Sequence, residues 1–167
     1  MPEEKKFNCV VFDIDNTLVD MDPVFREIFQ KSLDHQASWD YFEANCDRKD
    51  ITVKEHILNM ARFFHEQPDF EVVFLTARSK TIEEKTRAFL DKLGFEGCPL
   101  IMREIDDTSL ADNYKKKNLR YLQDFYNIIM FLDDEINNRE AAKSLGIFSP
   151  RPDSWRDLSV LIPLVKK

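Results

Sequence analysis

The chain has 167 residues, a length for one domain with room for a small elaboration. With 43% hydrophobic and 33% charged residues it is composed like a globular protein, which excludes a disordered or fibrous chain. Its 24 Lys+Arg against 31 Asp+Glu leave a net charge of −7, which argues against a broadly basic nucleic-acid coat while leaving room for a local phosphate site.

Taken in chain order, Met1–Lys6 is polar and charged, so no signal peptide is expected, and the default is a soluble cytoplasmic protein without a membrane partner. Cys9-Val10-Val11-Phe12 is a compact β-type run that stops at Asp13. The stretch from Asp20 to Phe70 has room for two or three helices, and Pro23–Leu33 and Trp39–Asn45 are candidates for a small lid. Thr52–His65 reads as a helix ended by Pro68, with Ile57, Leu58, Ala61 and Phe64 facing inward. Val72-Val73-Phe74-Leu75 is a second strand, before Thr76. Thr81-Ile82-Glu83-Glu84 resembles a capping box, followed by Ile82, Ala88, Phe89 and Leu93 on one face and Gly94 as the stop. Pro99-Leu100-Ile101-Met102 is a weaker strand. Tyr114, Leu119, Leu122 and Phe125 lie near helical spacing, and Ile128–Leu132 is a strand that ends at Asp133. Ile136–Leu145 reads as a helix closed by Gly146, with Gly146-Ile147-Phe148 as a last strand candidate.

Runs that are apolar on both faces suit parallel strands covered by helices, so the expected fold is α/β, a mainly parallel central sheet with right-handed crossovers. Residues 1–167 are expected to form one domain, with at most a small helical lid within residues 20–70. In such sheets the ligand crevice lies beyond the carboxyl ends of the strands, where Asp13, Thr76 and Asp133 follow directly.

Several chemistries are excluded. The three glycines, Gly94, Gly97 and Gly146, form neither a dinucleotide fingerprint nor a P-loop. Cys9, Cys46 and Cys98 make no C-x-x-C pair, and His35, His56 and His65 show no ligand spacing and read as helix-surface residues. The run Asp13-Ile14-Asp15-Asn16-Thr17-Leu18 is not a calcium-binding EF-hand loop, because Leu18 stands where glycine is needed.

What remains is a set of carboxylates, Asp13 and Asp15 after one strand and Asp133-Asp134 after another. Two like charges about 4 Å apart repel by about 4 kcal/mol at an effective dielectric of about 20, so gathering these acids calls for protonation or a cation. All-oxygen ligands favour Mg²⁺ over zinc. A carboxylate beside such an ion can act as a nucleophile toward phosphorus, and a second acid two residues on can protonate the leaving oxygen and then activate water. The bland alternative for each acid alone is a turn or cap residue.

These residues resemble the haloacid dehalogenase (HAD) superfamily of phosphohydrolases. Its first motif, D-x-D-x-T after a strand, is matched by Asp13-Ile14-Asp15-Asn16-Thr17, and its second by Thr76-Ala77-Arg78. The third, a helical lysine, falls among Lys115, Lys116 and Lys117, and the fourth is Asp133-Asp134. Within the superfamily the chain is similar to the 3′-phosphatase domain of phage-type polynucleotide kinase, through Ser38-Trp39-Asp40-Tyr41-Phe42, Thr76–Arg78 and Pro99–Arg103. The resemblance implies a HAD-like Rossmannoid fold and a Mg²⁺-dependent phosphomonoester hydrolase. It implies Asp13 as nucleophile and metal ligand, and Asp15 as general acid/base whose backbone carbonyl also meets the metal. Thr76 would hold a phosphate oxygen, Lys115 is the preferred motif lysine, and Asp133 and Asp134 would complete the metal site with Asn137 as a buttress. Asn16, Thr17 and Arg78 would border the substrate, with Arg78 either near its phosphate or stabilising the loop. The substrate expected is a nucleotide or a nucleic-acid 3′-end. The alternatives are a small-metabolite phosphatase of the same chemistry and a catalytically idle phosphate- or partner-binding module.

Overall fold

The computed structural model describes residues 6–154. Along the chain it forms β1 (Phe7–Phe12), β2 (Val19–Asp20), α1 (Asp22–Gln30), α2 (His35–Asn45), β3 (Thr52–Val53) and α3 (Glu55–His65). It continues with β4 (Phe70–Ser79), α4 (Glu83–Lys92), β5 (Leu100–Arg103), α5 (Ala111–Phe125), β6 (Tyr126–Leu132) and α6 (Ile136–Lys143). Four strands make one parallel sheet in the order β5-β4-β1-β6, and β2 and β3 form a separate antiparallel pair.

Strand alternation divides the core in two. Val10, Phe12, Val72, Phe74, Met130 and Leu132 point to the face covered by α3 and α4, where they meet Ile57, Met60, Phe64 and Leu90. Cys9, Val11, Val73, Leu75 and Phe131 point to the opposite face and pack on Tyr114, Leu119 and Leu122 of α5 and Ala142 of α6. Every central residue of β1 and β4 is thus buried, which is why these strands read as unbroken apolar runs. The chain steps from β1 to β4 and β5 on one side and returns to place β6 on the other side of β1. The sheet therefore reverses its winding at β1, the place where open parallel sheets hold ligands.

Several local expectations are corrected. Thr52 and Val53 belong to β3, because they pair with Asp20 and Val19 rather than starting the helix, and α3 begins at Glu55. Thr81 does not cap α4. Ser79 accepts from the Thr81 N–H to start a 3₁₀ turn at Lys80–Ile82, and the Thr81 hydroxyl goes to Glu43 at 2.6 Å. On α4 the buried face is Thr86 and Leu90, while Ala88 is exposed. Phe125 is 56% exposed, its ring against Tyr121 rather than in the core. Gly146-Ile147-Phe148 is not a strand, although the Phe131 N–H donates to the Phe148 carbonyl at 3.0 Å. The two glycine stops stand, with φ of +96° at Gly94 and +76° at Gly146. The three histidines lie on helices, His35 on α2 and His56 and His65 on α3. Trp155, whose place after Pro150 and Pro152 predicts that it packs the C-terminal end down, lies outside the described residues. Among those described, no helix is long and apolar enough to cross a membrane.

Candidate active site

The β1 strand delivers Asp13 to the rim of the sheet, where its N–H donates to the Leu132 carbonyl at 2.9 Å. The chain then turns sharply, with the N–H groups of Thr17, Leu18 and Val19 all directed at the Ile14 carbonyl. Asn16 takes the left-handed φ of 58° that this turn needs, a conformation its short amide tolerates. Its side-chain oxygen accepts from the Met21 N–H at 2.8 Å and its carbonyl from Lys54 Nζ at 2.7 Å. Asn16 thus fixes the loop with its polar groups while bordering the cavity described below. Thr17 is fully buried. Its hydroxyl accepts from the Asp134 N–H at 2.9 Å and stands 3.4 Å from Asp13 Oδ2 and 3.3 Å from Asp134 Oδ1, tying the first acidic segment to the second.

Carboxylate oxygens of Asp13, Asp133 and Asp134 lie within 4.8 Å of one another. Lys115 approaches them from α5. Its position four and seven residues before Leu119 and Leu122 places it on the buried stripe of that helix, at 1% exposure, whereas Lys116 and Lys117 are exposed. Its Nζ donates to Asp13 Oδ1 at 2.6 Å and to the Leu75 carbonyl at 2.5 Å, and stands 3.3 Å from Asp133 Oδ2.

Three carboxylates facing one ammonium leave negative charge in excess. Burial above all pushes the Asp13 carboxyl well above the usual carboxylate range, against the pull of Lys115 and with Asp133 and Asp15 adding to it. Burial, then Asp133 and Glu135, push the Asp134 carboxyl up to about 6. Burial works against the Lys115 ammonium, but Asp13 and Asp133 outweigh it and keep the lysine charged. Hard oxygen donors, mutual proximity and uncompensated charge together suit a metal cation.

Asp133 is held by the start of α6. The Glu135 N–H donates to its Oδ1 at 2.9 Å, and Asn138 Nδ2 reaches Oδ1 at 3.0 Å and Oδ2 at 3.1 Å. The buttress is therefore Asn138 and not Asn137, which is exposed. The signal for this lay in helical spacing, because Asn138 is four residues before the buried Ala142 and shares its face.

Asp15 lies outside the three-acid cluster. Its carboxylate receives Arg78 Nε at 3.2 and 3.0 Å and Arg78 Nη2 at 2.7 Å, a forked pair in which Arg78 is 3% exposed. Thr76 is fully buried, its hydroxyl accepting the Arg78 N–H at 3.2 Å.

One cavity of about 360 Å³ is lined by some of these groups, though not by Thr17, Thr76 or Asp133. Asp13, Asp15, Arg78, Lys115 and Asp134 line its floor, and Phe25 and Ile28 of α1 with Trp39 and Phe42 of α2 form an apolar wall. Within that wall Phe25 and Phe42 stack at 5.8 Å and 13°, and Trp39 meets Phe42 edge-on at 6.0 Å.

The family model for HAD superfamily, subfamily IIIB (Acid phosphatase) matches residues 1–148. The chain belongs to this phosphatase family. Its α/β architecture is the one expected of the HAD superfamily. A comparison with curated proteins finds no match. Among solved structures, a chain of the Pnkp1/Rnl/Hen1 RNA repair complex aligns with a TM-score of 0.69 at 20% identity, over 87% of this chain and 42% of that one. Another from a Pnkp1/Rnl/Hen1 complex gives 0.65 at 17%, over 90% and 50%. The class C acid phosphatase from Bacillus anthracis with tungstate bound gives 0.63 at 13%, over 90% and 69%. At such identities the likeness is one of fold, and the chain spans half or less of the two RNA-repair chains.

Proposed function

We propose that this phosphatase is a Mg²⁺-dependent phosphomonoesterase that works through a phosphorylated Asp13 and takes phosphomonoesters carrying a planar ring, nucleotides or nucleic-acid 3′-ends. The observation that carries this reading is the shared cavity. Asp13, held by Lys115, and Asp134 line it together with the rings of Phe25, Trp39 and Phe42. A cation bound by Asp13, Asp133 and Asp134 would supply charge neutralisation for the phosphoryl oxygens.

The chain's own groups perform the remaining steps. An Asp13 oxygen attacks phosphorus, forming the new P–O bond as the ester P–O bond breaks. The leaving alkoxide takes its proton from the Asp15 carboxyl. Water then attacks the phosphorylated Asp13, giving its proton back to Asp15 as the Asp13–phosphorus bond breaks and inorganic phosphate leaves. Lys115 keeps Asp13 aimed and meets the negative charge that arrives with the substrate. Helices α1 and α2 act as a small lid whose rings receive the leaving group and exclude water.

Phosphate release from a panel of mononucleotides, 3′-phosphorylated oligonucleotides and sugar phosphates, with and without Mg²⁺, tests the reading. Turnover is expected to vanish with chelator, return with Mg²⁺ and favour the ring-bearing substrates. Preference for sugar phosphates would replace the substrate class with small metabolites, and no release from any substrate would leave an idle module.

Asn138 allows a finer check of the metal site. Asn138→Ala removes one hydrogen-bond partner from each oxygen of Asp133 and is expected to raise the Mg²⁺ concentration for half-maximal activity about 10- to 100-fold. Asn137→Ala is expected to leave the Mg²⁺ titration unchanged, since that side chain is exposed.

A further inference from the structure

Phe42 sits at a junction. One side of its ring belongs to the aromatic wall, in contact with Phe25 and Trp39. The Arg78 guanidinium lies 5.7 Å from its ring centroid. Arg78 in turn grips Asp15 through three hydrogen bonds and sends Nη1 to Thr86 Oγ1 at 3.3 Å. Phe42 is 4% exposed and Arg78 3%, so both contacts are made away from bulk water, where a cation facing a ring interacts most strongly. Of the aromatic side chains lining the cavity, Phe42 alone is placed over this guanidinium among the described residues.

We propose that Phe42 is a positioning residue that acts on Asp15 through Arg78. Lid helix α2 presses the ring onto the guanidinium, the guanidinium holds its forked geometry, and Asp15 keeps the orientation from which it delivers a proton to the leaving oxygen. The lid therefore does two things, bordering the substrate and setting the aim of the general acid. Arg78 itself spans from α2 on one side to the β1 loop on the other, and Thr86 of α4 fixes the guanidinium end that Asp15 does not use. This inference rests on Asp15 acting as the general acid in the proposed function.

The test uses two substrates without a ring, so that the wall's own contacts play no part. Glycerol 2-phosphate expels an alkoxide and needs a proton, whereas acetyl phosphate expels a carboxylate and needs none. The ratio of kcat/KM for acetyl phosphate to that for glycerol 2-phosphate then reports the aim of Asp15, and it is independent of the fraction of protein that is folded. Phe42→Leu is expected to raise this ratio about tenfold, and Arg78→Lys, which keeps the charge but loses the fork, is expected to raise it at least as much. Adding Phe42→Leu to Arg78→Lys is expected to raise it no further, because both act through one contact. Phe42→Tyr, which keeps the ring face, is expected to restore the original ratio. A wild-type ratio in Phe42→Leu, or full additivity in the double variant, overturns the inference while leaving the phosphatase reading intact. A wild-type protein that hydrolyses acetyl phosphate and nucleotides but shows no loss with Asp15→Asn would instead remove the general acid on which both rest.

Discussion

Asp13→Asn is expected to abolish turnover, lowering phosphate release by roughly 10⁴-fold or more, with the fold intact. The amide has nearly the shape of the carboxylate and retains an oxygen able to accept from Lys115 Nζ, which now lies 2.6 Å from Oδ1. It lacks the charge and the lone-pair reactivity needed to attack phosphorus. Stability is expected to fall by less than in Lys115→Met, because Lys115 keeps the Asp133 carboxylate at 3.3 Å as a counter-charge. Thermal unfolding measured beside phosphate release separates the two effects. Mass analysis of acid-quenched protein adds the decisive readout: the wild-type chain is expected to carry one phosphoryl group on the peptide containing Asp13 during turnover, and the variant none. Hydrolysis by the variant at a rate near that of the wild type would replace the covalent route with direct attack by water.

The covalent reading depends on features that were legible to different degrees. The strands at Cys9–Phe12, Val72–Leu75 and Ile128–Leu132 are plain in the sequence because parallel strands covered on both faces need apolar residues at every position. Acids placed directly after two such runs announce a rim, and the fold needs only to make β1 and β6 neighbours to bring Asp13 and Asp133 together. Lys115 is legible as the residue of its basic run that falls on the stripe of Leu119 and Leu122. Asn138 is less so, because adjacent asparagines differ only by the rotation of one helical step. The pairing of Thr52–Val53 with Val19–Asp20 and the grip of Arg78 on Asp15 join segments far apart in the chain, and no local pattern encodes either partner. The capping box at Thr81 fails for a related reason. Ser79 captures the same N–H group first, and a glutamate on α2 takes the threonine hydroxyl.

Lys115→Met is expected to damage both stability and rate, and the contrast with Lys117→Met isolates the cause. Methionine preserves much of the buried stem on α5 but removes the ammonium, so Asp13 Oδ1, the Leu75 carbonyl and Asp133 Oδ2 lose a shared partner at once. Removing one member of a buried ion pair costs about 3–5 kcal/mol, because the remaining charge stays in a site built for two. Three acids would then face one another without a counter-charge, and a clear fall in the unfolding temperature is expected. In the reaction, loss of the fixed positive charge that meets the incoming phosphate is expected to lower kcat by about 10²–10³-fold at temperatures where the variant remains folded. Lys117 is exposed, so its replacement is expected to shift stability by no more than about 0.5 kcal/mol and to leave kcat near the wild-type value. The acidic cluster adds a test that does not depend on turnover. Mg²⁺ is expected to raise the unfolding temperature of Lys115→Met by more than it raises that of the wild type, since the ion would replace the missing charge as well as fill its own site. An equal shift in both proteins would place the ion away from the carboxylates that Lys115 touches, and a larger loss of rate in Lys117→Met would move the motif lysine to the exposed face of α5.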